Sequence, residues 1–167
     1  MKTAIVTGGL GFIGSNLIKI LLSNNFFVIN LDKVSYSSNF YNVKGFSKLK
    51  KYKFIKVDIN NQKKLLKLFK KYKPKVIFNL AAETHVDRSI DNPYNFIQSN
   101  ILGFSNVIEA SVEIKVENFI YASSSSVYGL NQKTPFEEDH KVDHPVSLYA
   151  ATKRSNELIA HSFSNIY

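Results

Sequence analysis

The stretch that decides the fold is Thr7-Gly8-Gly9-Leu10-Gly11-Phe12-Ile13-Gly14. It follows an apolar run, Thr3 to Thr7 (TAIVT), with the composition of a strand. It leads into a segment, Phe12 to Leu22, that reads as a helix with Ile13, Leu17, Ile20 and Leu21 on one face. Gly8, Gly11 and Gly14 lie three apart, and Gly9 to Gly14 also fits G-x-G-x-x-G. Such a turn between a strand and a helix brings backbone close to a pyrophosphate. The helix N-terminus then faces the negative charge. The reading therefore places Gly8, Gly11, Phe12, Ile13 and Gly14 against a dinucleotide.

The next strand-like run, Phe26 to Leu31, ends at Asp32, 21 residues after Gly11. A carboxylate there can accept hydrogen bonds from the adenosine ribose and would repel a 2′-phosphate, so NAD is the expected cofactor rather than NADP. Lys33 beside it weakens that preference only slightly.

Outward from this point, strand and helix patterns alternate. Phe54 to Val57, Val76 to Leu80 and Phe119 to Ala122 read as strands. Gln62 to Tyr72 and Pro93 to Val112 read as helices, the second with proline in its first turn. Ser147 reads as the cap of a last helix running toward Tyr167. Short apolar strands alternating with helices imply an α/β fold, a doubly wound parallel sheet covered on both faces. Ligands of such sheets bind beyond the carboxyl ends of the strands. That rule selects Thr7–Gly14, Asp32, Asp58, Leu80–Glu83 and Ser123–Ser126 as one rim. Residues 1–167 read as one NAD-binding Rossmann domain.

The 167 residues suffice for a real core, and 44% hydrophobic with 21% charged residues excludes a disordered chain. There is no cysteine, which rules out disulfides and thiolate metal sites and is compatible with a cytoplasmic location. The N-terminus lacks the pattern of a signal peptide, and no apolar run is long enough to span a membrane. Net charge is +9, with much of the excess between Lys48 and Lys75. There Leu65, Leu68, Phe69 and Tyr72 form a helical stripe, so the lysines occupy the wet face. No nucleic-acid motif accompanies them, and neither nucleic acid nor a membrane is expected as a partner.

The second motif is Ser147-Leu148-Tyr149-Ala150-Ala151-Thr152-Lys153. Tyr149 and Lys153 are four apart and share a helix face. A free phenol has a pKa near ~10, and a neighbouring ammonium together with the positive nicotinamide favours phenolate. Tyr149 can then take a proton from a sugar hydroxyl while hydride leaves the same carbon, and Lys153 can hold the nicotinamide ribose. His140 and His144, with Asp139 and Asp143 beside them, have a metal-like spacing. Pro145 follows and the segment reads as a loop, so no metal is expected.

TGGLGFIG, LDK at 31 to 33, VDI at 57 to 59, NLAAETHVDRS at 79 to 89, SSSSVYG at 123 to 129 and YAATK at 149 to 153 together resemble the extended short-chain dehydrogenase/reductase family. These are the NAD-dependent epimerases and dehydratases of nucleotide sugars. The resemblance implies that Asp58 and Ile59 flank the adenine, that Leu80, Ala81 and Ala82 line the cofactor, and that Ser99 lies near it. It implies that Ser124 hydrogen-bonds the hydroxyl being oxidised and passes its proton to Tyr149.

LDKVSY at 31 to 36 and AAETHVDRSIDNP at 81 to 93 resemble the dTDP-glucose 4,6-dehydratases. Residues 120 to 167 are similar to the UDP-glucuronate 4-epimerases. The dehydratases carry Asp-Glu at the positions occupied here by Ser125 and Ser126, as the base and acid for water elimination. A 4-epimerase needs neither, because hydroxyls suffice to hold a ketone that must turn. Thr84, Ser125 and Ser126 are accordingly expected to meet the substrate, with His85 and Arg88 nearby. The expected activity is that of an NAD-dependent UDP-glucuronate 4-epimerase. A dTDP-glucose 4,6-dehydratase, another nucleotide-sugar epimerase or an NAD-binding regulatory protein are the alternatives. The resemblance also implies an N-terminal part of a longer, homodimeric enzyme, inactive alone.

Overall fold

A computed structural model describes residues 1–167. The chain divides into two compact units. Met1–Ala81 with Asn106–Tyr121 form the first, and Ala82–Ser105 with Ala122–Tyr167 form the second.

The first unit is a five-stranded sheet. Its strands are β1 (Thr3–Thr7), β2 (Phe27–Asp32), β3 (Tyr52–Lys56), β4 (Val76–Asn79) and β5 (Asn118–Tyr121), in the order β3-β2-β1-β4-β5. Every pairing is parallel, with Thr7 level with Leu31 on one side and Asn79 on the other. Strand order therefore reverses between β1 and β4, where a crevice opens at the carboxyl ends.

Alternation along the strands builds two cores. Ala4, Val6 and Val28 pack against Ile18, Leu21 and Leu22 of helix α1 (Phe12–Ser23) on one face. Ile5, Ile29, Leu31 and Ile77 pack on the other face against Leu65 and Phe69 of α2 (Gln62–Tyr72) and against Val107 and Ala110. The doubly wound architecture is thus present, with helices on both faces.

Three local expectations need correction. The buried stripe of α1 is Gly14, Ser15, Ile18, Leu21 and Leu22, whereas Ile13 and Ile20 are exposed. The sheet claims the helix side beginning at Gly14, because only glycine lets that turn sit on the Gly8 carbonyl. The run after Pro93 is not one uniform helix. It comprises α4 (Pro93–Phe96), a π-helical turn (Ile97–Leu102) and α5 (Gly103–Glu113), and a short α3 (Val86–Asp91) precedes it. The strands are not uniformly covered either, since Asn118 and Ile120 of edge strand β5 are exposed.

The second unit holds α3, α4, the π turn, a 3-10 turn (Ser125–Tyr128) and the long α6 (Leu148–Ile166). Ser147 caps α6 as expected, its Oγ accepting the Ala150 N–H at 3.1 Å. Phe96, Phe104, Val127 and Ala150 are buried. No helix is long and apolar enough to cross a membrane.

Candidate functional site

In the first unit the glycine turn is held from both sides. Gly8 has φ +68°, and a Cβ there would stand 2.8 Å from the Ala81 nitrogen. A Cβ on Gly14 would stand 2.4 Å from the Gly8 carbonyl oxygen. Both glycines are therefore demanded by the protein's own packing. Gly11 differs, because a Cβ there would meet one protein atom, the Gly8 oxygen at 3.3 Å. Thr7 ties the two strands at the crevice. Its hydroxyl donates to Asn79 Oδ1 at 2.7 Å and accepts the N–H groups of Leu80 and Ala81, each at 3.1 Å.

Gly11 is the N-cap of α1, which has neither a side-chain cap nor an acidic residue in its first turn. By contrast, Asn61 caps α2 and Ser147 caps α6. The first-turn N–H groups and the positive end of the α1 dipole are thus left for an anion. Phe12 and Ile13 are exposed beside it, an unfavourable position for bare apolar side chains in water.

Asp32 is buried, and its carboxylate organises the loop after β2. Oδ2 accepts the Leu10 N–H at 3.0 Å, while Oδ1 accepts the Val34 N–H and the Ser38 hydroxyl, each at 2.8 Å. Two lone pairs per oxygen leave capacity at Oδ2 for a further donor. Val34 is held at φ +64°, a strained conformation for a β-branched residue. A cavity of about 640 Å³ opens beside this loop, lined by Lys33, Val34, Ser35, Lys56, Val57, Asp58, Asn61 and Lys64. Lys33 and Asp58 thus share one concavity, whereas Ile59 is buried in the core beneath. The uncapped helix, the open side of Gly11 and this cavity fit the pyrophosphate and adenosine of a dinucleotide.

In the second unit, α6 carries Tyr149 and Lys153 one turn apart. Lys153 is 5% exposed, and burial pushes its ammonium down to about 8. Its Nζ donates to the Ala122 carbonyl at 2.8 Å and lies 6.0 Å from the Tyr149 ring centroid. Tyr149 is half-buried, edge-on to Phe96 at 6.5 Å. α6 also packs on the 3-10 turn of the serine run. Ser124 is the cap of that turn. Its Oγ accepts the Ser126 N–H at 3.2 Å and donates to Ser126 Oγ at 3.1 Å. Ser125 and Ser126 sit where the turn begins, with hydroxyls only.

Two residues of this unit escaped the sequence reading. Asn100, 2% exposed in the π turn, accepts the Glu83 N–H at 2.8 Å and donates to the Glu83 carbonyl at 2.9 Å and to Thr152 Oγ1 at 3.0 Å. Its own carbonyl accepts from Asn156 Nδ2 at 2.6 Å. Asn100 thereby joins the Glu83 loop to α6. The signal was a polar Gln-Ser-Asn inside an apolar helix. The second residue, Glu157, accepts the Ser123 hydroxyl. Its signal was the stripe Tyr149, Lys153, Glu157 at four-residue spacing. Ser99, also in the π turn, is buried, while Ala82 and Thr84 begin the unit on the loop before α3. Glu137, Asp139 and His140 do cluster on the loop before α6. The His140 Nδ1 accepts the Glu137 N–H at 3.4 Å.

A parallel sheet reversing at a glycine turn, with Ser, Tyr and a buried Lys in the following unit, defines the class as an extended short-chain dehydrogenase/reductase, the NAD-dependent epimerases and dehydratases. Residues 5–167 match the family described as GDP-mannose 4,6 dehydratase, and the chain belongs to it. It is similar to protein CapI of Staphylococcus aureus, 45% identical over 98% of this chain and 50% of that protein. It is 39% identical to UDP-glucuronate 4-epimerase 4 of Arabidopsis thaliana, over 99% of this chain and 39% of that one. Among solved structures, dTDP-glucose 4,6-dehydratase of Bacillus anthracis, in complex with NAD, is 32% identical with a TM-score of 0.87. That match covers 100% of this chain and 52% of that one. The chain thus spans about half the length of protein CapI and of the dehydratase, and 39% of the Arabidopsis thaliana protein.

Proposed function

We propose that the protein acts as an NAD-dependent nucleotide-sugar 4-epimerase, with UDP-glucuronate as the substrate. The observation carrying this is the serine turn: Ser124, Ser125 and Ser126 present hydroxyls and no acid–base pair. NAD, when bound, would supply a hydride acceptor toward sugar C4 and, in its reduced form, the hydride donor. The uncapped α1 would hold its pyrophosphate, Asp32 its ribose, and Lys33 with Asp58 its adenosine. Tyr149 takes the proton of the 4-hydroxyl and gives it back after the 4-keto sugar has turned. Ser124 hydrogen-bonds that oxygen throughout. Lys153 stands one helical turn from Tyr149, its Nζ 6.0 Å from the ring centroid. Ser125, Ser126 and Thr84 hold the ketone without protonating it. A relative named as a UDP-glucuronate 4-epimerase supports the same reading.

The second reading, a 4,6-dehydratase, is favoured by the family description and by the Bacillus anthracis relative. Elimination would need an acid and a base that the serine turn does not contain. The deciding experiment incubates the enzyme expressed from its whole reading frame with NAD, UDP-glucuronate and dTDP-glucose and follows the sugar signals by NMR. UDP-galacturonate with dTDP-glucose untouched is the expected result. A 4-keto-6-deoxy sugar would overturn it. A homodimer is part of the same proposal, supported by exposed Tyr94, Ile97, Leu102 and Leu158 on the helices, and light scattering tests it.

A further inference from the structure

We infer that Glu157 is a positioning residue for the serine turn: through Ser123 it fixes the backbone from which Ser124 presents its hydroxyl. Why that placement matters rests on the function proposed above. The contact itself does not.

Tyr149, Lys153 and Glu157 recur every four residues and lie along one face of α6. Two of them grip consecutive residues of the chain leading into the turn. Lys153 Nζ donates to the Ala122 carbonyl at 2.8 Å, and Glu157 Oε1 accepts the Ser123 hydroxyl. The other carboxylate oxygen, Oε2, accepts Arg154 Nη1 at 2.9 Å. Glu157 is therefore anchored on its own helix before it takes the serine. The Glu157 side chain is 25% exposed, while Ser123 is exposed. A bond to an ionised acceptor is roughly twice as strong as a neutral one. A serine at an exposed strand exit would otherwise sample several rotamers. With Ala122 and Ser123 pinned to the helix that carries Tyr149, residue 124 enters extended, at φ −156° and ψ 146°, and caps the turn through the Ser126 N–H. The carboxylate touching the serine run thus stands outside the run and holds a hydroxyl, so it orients the turn without supplying chemistry to substrate.

The test uses Glu157→Ala, Glu157→Gln and Ser123→Ala in the protein expressed from its whole reading frame and purified. Amide hydrogen exchange across residues 122–128 should quicken roughly tenfold in Glu157→Ala and Ser123→Ala, with α6 still protected. Glu157→Gln keeps an acceptor oxygen and should restore most of the protection. With NAD and the nucleotide sugar, kcat should fall about tenfold to a hundredfold in Glu157→Ala while KM stays within roughly twofold. The double variant should be no worse than either single one. Unchanged exchange and kcat in Glu157→Ala would overturn the inference. So would an equal loss in Glu157→Ala and Glu157→Gln, spread over the whole unit, which marks a purely structural acid. If no variant or parent turns over any nucleotide sugar, the proposed function fails, and the exchange pattern still decides the role of Glu157. Should Glu157→Ala not fold, Ser123→Ala and Glu157→Gln carry the same test.

Discussion

At the scale of single residues, the glycines of the turn separate into two kinds. Gly8 is fixed by a positive φ and by Ala81, whereas Gly11 has room on its outer side. Gly8→Ala should therefore lower stability by about 2 kcal/mol or more in urea unfolding. Gly11→Ala should cost less than about 1 kcal/mol and yet weaken NAD binding at least about tenfold, measured by calorimetric titration. Equal effects of the two on stability would show that Gly11 serves the fold. Lys153 allows a second prediction. Burial lowers its pKa to about 8 from 10.5, so holding it charged opposes folding below that range. The opposition fades as pH rises through the folded value toward the unfolded one, because there the unfolded state binds more protons. Stability of the parent relative to Lys153→Met should thus rise by about 3 kcal/mol between pH 7 and pH 11. A flat difference would show that the ammonium is better solvated than its burial implies.

At the scale of elements, the second unit depends on one asparagine in a π turn. Its side chain makes three hydrogen bonds, to both polar groups of the Glu83 backbone and to Thr152 on α6. Asn100→Asp preserves shape and the acceptor but removes both donor bonds and adds a buried charge. It should destabilise the protein by about 3 kcal/mol, seen as a lower midpoint in denaturant unfolding. Asn100→Ala should cost a similar amount. If Asn100→Asp is neutral, the π turn is held by packing of Phe96 and Phe104 instead. The strands and most helices were legible in the sequence because periodicity reports burial directly: β1 and α2 fall at the expected residues. The stripe of α1 was misassigned because periodicity names a face without saying which face meets the sheet. The break in the helix after Pro93 was hidden for another reason. A π turn is set by a hydrogen-bonding partner 17 residues away in sequence, at Glu83.

At the scale of the whole molecule, charge dominates. A net +9 acts against the compact state, while surface pairs such as Lys70–Glu113 and Lys75–Glu117 contribute less than about 1 kcal/mol each. Screening should therefore stabilise the protein. The melting temperature should climb by about 2–4 °C from low salt to a few hundred millimolar sodium chloride. A fall on adding salt would mean that ion pairs outweigh the repulsion.

The sequence by itself determined the sheet, the glycine turn and the candidate Ser–Tyr–Lys set, because each depends on residue type at short spacing. Strand burial, tight turns and one-turn helix pairs are local properties. Only the tertiary structure decided what those residues touch. Asp32 spends its carboxylate on Leu10 of the glycine turn and on the loop after β2. Lys153 reaches a carbonyl at the exit of β5, and the serine turn is held by a glutamate 34 residues further on. The last two pairs lie 31 and 34 residues apart in the chain. Packing of α6 brings them together, and the spacing of residue types carries no record of it.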